Sequence, residues 1–279
     1  MTARFPSSAT LAAQQVKYQL LIFWRSPVAV FFTLGLPVFM LVLFNALFGD
    51  GTVEAAGGEW SVQQFYTGGL AAFTAVSATY TNLVNVVPIR RDTGILKRWR
   101  STPMPLPVYL GGWVSSAVVI AFGGVVLQLT LGIVAYDLSI DTAKVPAMIV
   151  TFLVGVVSFA ALGLGVASLV PNQDSAPAVA NATILPLAFV SDTFIPLEDA
   201  PSWLKFADYL PLKPFVNAFQ GTLNPFVEAP AFDLKKLGIV AVWGMVGLLL
   251  ASAKFSWEPS STAGTAEPSR SRRRRQANA

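Results

Sequence analysis

The chain contains no cysteine and no histidine in 279 residues. That excludes disulfides, thiolate or imidazole metal sites, Cys or His nucleophiles, and any Ser-His or HExxH arrangement. Intramembrane proteolysis by a Ser-His or zinc mechanism goes with them. The missing cysteine does not fix a compartment. Charge is also scarce. Asp, Glu, Lys and Arg make up 12% of the residues, against about 25% in soluble domains. With 54% hydrophobic residues and a mean hydropathy of +0.58, lipid is the expected solvent for most of the chain. There is no GxxxxGK[ST] phosphate loop and no soluble stretch long enough for a nucleotide-binding domain. The chain is therefore expected not to be catalytic alone. The N-terminus does not read as a secretory signal: Arg4 stands alone, Pro6 follows it, and no small-residue cleavage site closes a short apolar core.

Six apolar runs are present, at about 28–48, 65–88, 107–134, 147–170, 175–194 and 236–254. A helix needs about 20 residues to cross a ~30 Å hydrocarbon core. Lipid admits only helices or closed barrels, and these runs are continuous rather than alternating, so helices are expected. Pro177 and Pro186 interrupt the fifth run, and only Pro171-Asn172-Gln173-Asp174 separates it from the fourth. The fold class is an all-α integral membrane protein with six transmembrane helices. Residues 1–26 form an N-terminal cytoplasmic segment, 27–254 the six-span domain, and 255–279 a disordered basic cytoplasmic tail.

Basic residues set the orientation. With the N-terminus inside, fourteen of the nineteen fall on inner segments, including Arg90, Arg91, Lys97, Arg98, Arg100 and the run Arg272 to Arg275. Most acids, among them Asp50, Glu54, Glu59, Asp137 and Asp141, fall outside. Both termini are then cytoplasmic in a multi-pass protein of the cell inner membrane. Residues 8–26 carry Val16, Leu20 and Phe23 on one helical face and Gln14, Lys17 and Arg25 on another. That pattern predicts an amphipathic helix on the membrane surface, with Trp24 at headgroup level; a slow start to the first span is the alternative. The arginine run in the tail either binds anionic lipid or serves only to fix topology.

The inner loop Ile89 to Pro105 combines five basic residues with one acid, Asp92, and with Gly94, Ile95, Leu96 and Trp99. Ile95 and Trp99 are one turn apart. A short helix there would show a small apolar face between charges and suit a groove on a soluble partner; an ordinary positive-inside loop is the plainer reading. The region Leu185 to Gly221 is cut by Pro196, Pro201, Pro211 and Pro214 into apolar pieces too short to span, and Ser202 could cap a short helix carrying Trp203, Leu204 and Phe206. Span two carries Thr74, Ser77, Thr81 and Asn85 along one face. That face either lines a path or a dimer seam, or makes ordinary inter-helix hydrogen bonds. Pro37 marks an expected kink in span one.

The two segments resemble the ABC type-2 transporter permease family, which includes drug-resistance and lipid or polysaccharide exporters. The first matches at Arg91, Asp92, Gly94, Leu96, Lys97, Arg98, Thr102 and Pro103. The second matches at Ser191, Thr193, Phe194, Pro196, Pro201, Trp203 and Leu204. The resemblance implies a surface connecting helix, a coupling helix in the second loop contacted through Arg91, Asp92, Gly94, Ile95, Leu96 and Trp99, and outer re-entrant helices. It also implies two ATP-binding cassette ATPase subunits that hold ATP and Mg, and a second permease half, a copy or a related chain. No cofactor or metal is expected on this chain, and no nucleic acid as a partner; membrane lipids surround it. Two positions depart from the family pattern. Asp92 stands where Glu is usual, and Asp192 where Gly is expected. Asp192 either faces a cavity and attracts cationic cargo or caps the next helix. The function these features imply is a permease subunit exporting an amphipathic cargo. The alternative is an energy-independent channel, secondary carrier or structural subunit. No acid lies at the centre of any span, which disfavours coupling to an ion gradient.

Overall fold

The computed structural model describes residues 7–49, 51–55, 57–100, 106–196 and 202–256. The tail beyond 256, the motif residues Thr102, Pro103 and Pro201, and the side chain of Trp99 lie outside the described residues.

Helix α1, Ser8–Trp24, begins at Ser7, whose Oγ accepts the Thr10 N–H at 3.2 Å and satisfies one of the orphan donors of the first turn. Helix α2, Pro27–Phe48, follows a second serine cap at Ser26. It contains a π turn at Phe31–Gly35, immediately before Pro37. The expected irregularity in span one is thus a widened turn, which eases the clash of the proline ring with the preceding carbonyl. A two-stranded antiparallel hairpin, β1 Thr52–Ala55 and β2 Gly58–Ser61, pairs Val53 with Trp60. Helix α3, Val62–Asp92, is capped by Ser61 and carries its own π turn at Ser77–Thr81, which packs on that of α2.

Next come α4 Ile95–Arg100, α5 Leu106–Tyr136, a 3-10 turn Thr142–Lys144, and α6 Val145–Leu169. Helix α7, Ala176–Phe189, follows a 3-10 turn at Gln173–Ser175. A 3-10 segment Ser202–Tyr209, then α8 Leu212–Gly221 and α9 Leu234–Lys254, complete the chain.

Five helices among the described residues are long and apolar enough to span: α2, α3, α5, α6 with its leading 3-10 turn, and α9. The expected fifth run, 175–194, forms α7 but only over fourteen residues, about 21 Å at 1.5 Å per residue. Pro177 does not break it; it sits in the first turn, where no N–H is needed. The helix stops at Phe189, and Ser191, buried against it, donates to the Ala188 carbonyl at 3.1 Å.

Helix α3 is the most buried span and the centre of the bundle, packed by α2, α5, α6, α7 and α8. The most extensive helix pair is α6 with α9. There a Cβ on Gly247 would lie 2.5 Å from the backbone of Leu162, and one on Gly165 2.6 Å from the carbonyl oxygen of Gly247. Small residues let two apolar helices touch by backbone, the main source of association where lipid removes the hydrophobic drive. Helix α1 does not lie alone on a surface. Leu20 and Phe23 face inward as expected, but the most buried polar residue is Gln15, seated on α5 at Gly112.

The segments expected outside gather at one end. Phe226 lies against Gly57 and Gly58 of the hairpin, and Lys144 donates to the Asn224 carbonyl at 2.8 Å. The segments expected inside, α4 and the stretch from Val170 to Gln173, gather at the other, tied through Arg91 and Asp92.

Candidate functional site

At the second end, α3 runs on beyond the about 20 residues that a ~30 Å hydrocarbon core needs. Its 31 residues measure about 46 Å, so Arg90, Arg91 and Asp92 sit in the last turn of a span rather than in a loop. The Thr93 N–H continues the helical bonding to Ile89, and the Gly94 N–H turns back to Arg91. Gly94 has φ +73, and a Cβ there would touch nothing, so conformation alone calls for glycine. The chain then re-enters helix as α4. Leu96 is completely buried against Leu83 and Val87 of α3, Tyr109 and Trp113 of α5, and Ala160 and Leu164 of α6. Ile95 is 37% exposed and Lys97 and Arg98 face outward. Of the two apolar neighbours in the motif, one therefore fastens the short helix to the bundle and the other is presented.

The charged residues of this turn do not behave alike. Arg90 lies 4.8 Å from the centroid of the Trp113 ring and donates to Gln19 of α1. Arg91 and Asp92 form a buried pair, their side chains 8% and 2% exposed, with Nε to Oδ1 at 3.0 Å. Arg91 also donates to the carbonyls of Val170 and Pro171, both at 3.0 Å, and Asp92 accepts the Gln173 N–H at 2.8 Å. The carboxylate expected to meet a partner protein is thus turned into its own chain.

The span-two residues share a helix but sit in different surroundings. Thr74 is buried at the α3–α5 seam, where Gln128 donates to its Oγ1 at 2.8 Å. Ser77 opens the π turn and is buried. Asn85 donates to the Thr81 carbonyl one turn back at 2.8 Å. None of the four lines the cavities described at the hairpin end.

One of those cavities, about 260 Å³, is bounded by Trp60, Asp192, Asp208, Lys213, Asn217 and Gln220 among others. Asp192 sits at φ +57, a left-handed conformation that glycine takes freely and that Asp tolerates better than most residues. Its carboxylate lies 3.8 Å from Lys213, which pairs more closely with Asp208 at 2.9 Å. Ser191 and Thr193, both fully buried, share a hydrogen bond of 2.9 Å, and Phe194 packs edge-on or tilted against Phe44, Phe73 and Phe189. The Ser-x-Thr-Phe motif is therefore a tight buried turn. Pro196 borders the cavity, Leu204 is buried, and Trp203 is 69% exposed. Ser202 opens the 3-10 segment. Helix α8 then drives Leu212, Phe215, Val216 and Phe219, all 0% exposed, back into the bundle.

Sequence reasoning missed Gln128, Arg90 with Trp113, and the backbone of 170–173. A lone Gln in the apolar run of span three was a legible signal. Backbone acceptors carry none.

A bundle of apolar helices around a buried central span, with charges gathered at its ends, defines a multi-pass membrane protein. Residues 13–224 match the family model described as "ABC-2 type transporter", and the chain belongs to that family. It is also 26% identical over 192 residues to the protein named "Putative transport permease ycf38" of Cyanophora paradoxa. That match takes in 67% of this chain and 64% of the relative's length.

Proposed function

We propose that the chain is the permease subunit of an ATP-binding cassette exporter, offering an amphipathic cargo, a drug-like compound or a lipid, its path across the cell inner membrane. Two ATPase subunits carry ATP and Mg at the cytoplasmic side, where both termini lie, and a second permease half completes the path. The reading is carried by α4: a short helix bolted down by Leu96, with Ile95, Lys97 and Arg98 presented outward, in an ABC-2 chain without a phosphate loop. An apolar anchor rimmed by cations is what a groove on a soluble subunit can grip. The Ser202–Tyr209 segment and α8 form the outer re-entrant element.

Purification of the full chain in mild detergent tests this directly. A phosphate-loop ATPase should co-elute, and Ile95→Asp or Trp99→Ala should release it or uncouple its hydrolysis. A chain that transports with no ATPase bound would instead be an energy-independent carrier.

A further inference from the structure

The Arg91–Asp92 pair grips one place from two chemistries. The planar guanidinium fork donates to two consecutive carbonyls, Val170 and Pro171, each at 3.0 Å. Val170 is the residue where α6 has just ended, so its carbonyl needs a donor. The carboxylate takes the first N–H of the turn leading into α7, that of Gln173, at 2.8 Å. The two side chains are joined to each other, and both are buried. Only Thr93 and Gly94 separate α3 from α4, and the Arg98 N–H returns to the Gly94 carbonyl at 3.1 Å. The elbow between α6 and α7 is thus fixed to the same turn that carries α4.

We infer that Arg91 and Asp92 are positioning residues, a clamp that makes the α6–α7 elbow follow α4 when α4 is pushed. The inference rests on the exporter reading, and it moves Asp92 from the subunit contact to the internal linkage behind it. Helix α7 is the short helix that leads into the buried Ser191–Thr193 turn and the outer cavity. A displacement handed to the elbow therefore reaches the outer end through one helix. Lysine cannot replace Arg91, because a point charge does not bridge two carbonyls in one plane.

Gln173→Pro isolates the linkage, since it removes one N–H and alters neither charged residue. Asn172 is already extended at φ −151 and ψ 165, the conformation a following proline requires, and position 173 opens a helical turn. Gln173→Ala keeps the N–H and is the control. The chain has no native cysteine, so nitroxides can be placed at Lys97→Cys on α4 and Leu169→Cys at the end of α6, both exposed. In the complex with its ATPase subunits, the Lys97–Leu169 distance should keep one narrow distribution with and without MgATP and vanadate. In Gln173→Pro and in Arg91→Lys it should broaden or split on adding nucleotide, and in Gln173→Ala it should not. A parent distance that shifts with nucleotide, a Gln173→Pro distribution as narrow as the parent's, or a Gln173→Ala distribution as broad as the proline variant's overturns the clamp. A second pair, Lys97 with Glu54 at opposite ends, must respond to nucleotide in the parent. If no ATPase co-purifies with the unlabelled parent chain, or that pair stays still, the exporter reading falls and takes the clamp with it.

Discussion

Single side chains in this protein spend their polarity inward. Gln128 is fully buried and donates to Thr74 and to the Leu70 carbonyl. Thr74→Val removes one acceptor while keeping shape. It should lower stability by about 0.6–1.7 kcal/mol, the range for interhelical bonds in lipid, read as a shift in the denaturant midpoint in mixed micelles. Ser77→Trp has no room for its ring, because Ser77 is buried in the π turn. It should reduce folded yield rather than merely plug a path. At the outer end, Asp233 caps α9 by accepting the Lys236 N–H at 3.0 Å. Partial burial pushes its carboxyl up, but that N–H and the Lys236 ammonium at 2.9 Å outweigh it and hold the group below its usual range. A depressed carboxyl stabilises above its ordinary value and loses that contribution as pH falls through the native one. Asp233→Ala should therefore lower the thermal midpoint at pH 7, by the equivalent of about 1 kcal/mol for a lost cap. The gap to wild type should close in strong acid; a gap that persists there would assign the effect to something other than ionisation.

Elements are held together by fit at a few close approaches. The α6–α9 seam depends on Gly244 and Gly247, one turn apart, each meeting α6 backbone. Gly247→Leu should cost at least about 1–3 kcal/mol through overpacking. Gly238→Ala on the same helix meets open space and should be neutral; equal losses in both would mean that the seam is not the cause. The 3-10 segment Ser202–Tyr209 is amphipathic in a different sense. Leu204 and Ala207 are buried, whereas Trp203, Phe206 and Tyr209 stand out. Aromatics with one wet and one apolar side settle at membrane interfaces. In a variant whose sole tryptophan is Trp203, emission should be quenched by bromolipids and resist aqueous iodide. Full iodide quenching would make this an ordinary loop.

For the whole molecule, the charge bias predicts which end faces in. Cysteines at Glu54 and Glu228, both exposed at the hairpin end, should react with an impermeant reagent in intact cells. A cysteine at Lys97 should react only after lysis. Labelling of Lys97 from outside would invert the protein and remove α4 from any cytoplasmic partner.

Much of the architecture was legible in the residues themselves. Five of the six expected spans, the helix Ser8–Trp24 and the short helix after Gly94 all follow from runs of apolar side chains and their interruptions. A continuous apolar run in lipid has no alternative to helix, since every backbone N–H and C=O must be satisfied within it. Pattern could also place Leu96 and Ile95 side by side. It could not say that Leu96 is buried and Ile95 presented, because that depends on where α5 and α6 pass. Nor could it turn Asp92 inward. The partners of Arg91 and Asp92 are backbone groups about eighty positions away, and every residue type carries the same backbone. The short α7 and the buried outer turn belong to the same class. Composition decided that the chain lives in lipid and that its helices are apolar. Tertiary structure alone decided which charges are held between helices and which face outward, because burial is a property of neighbours.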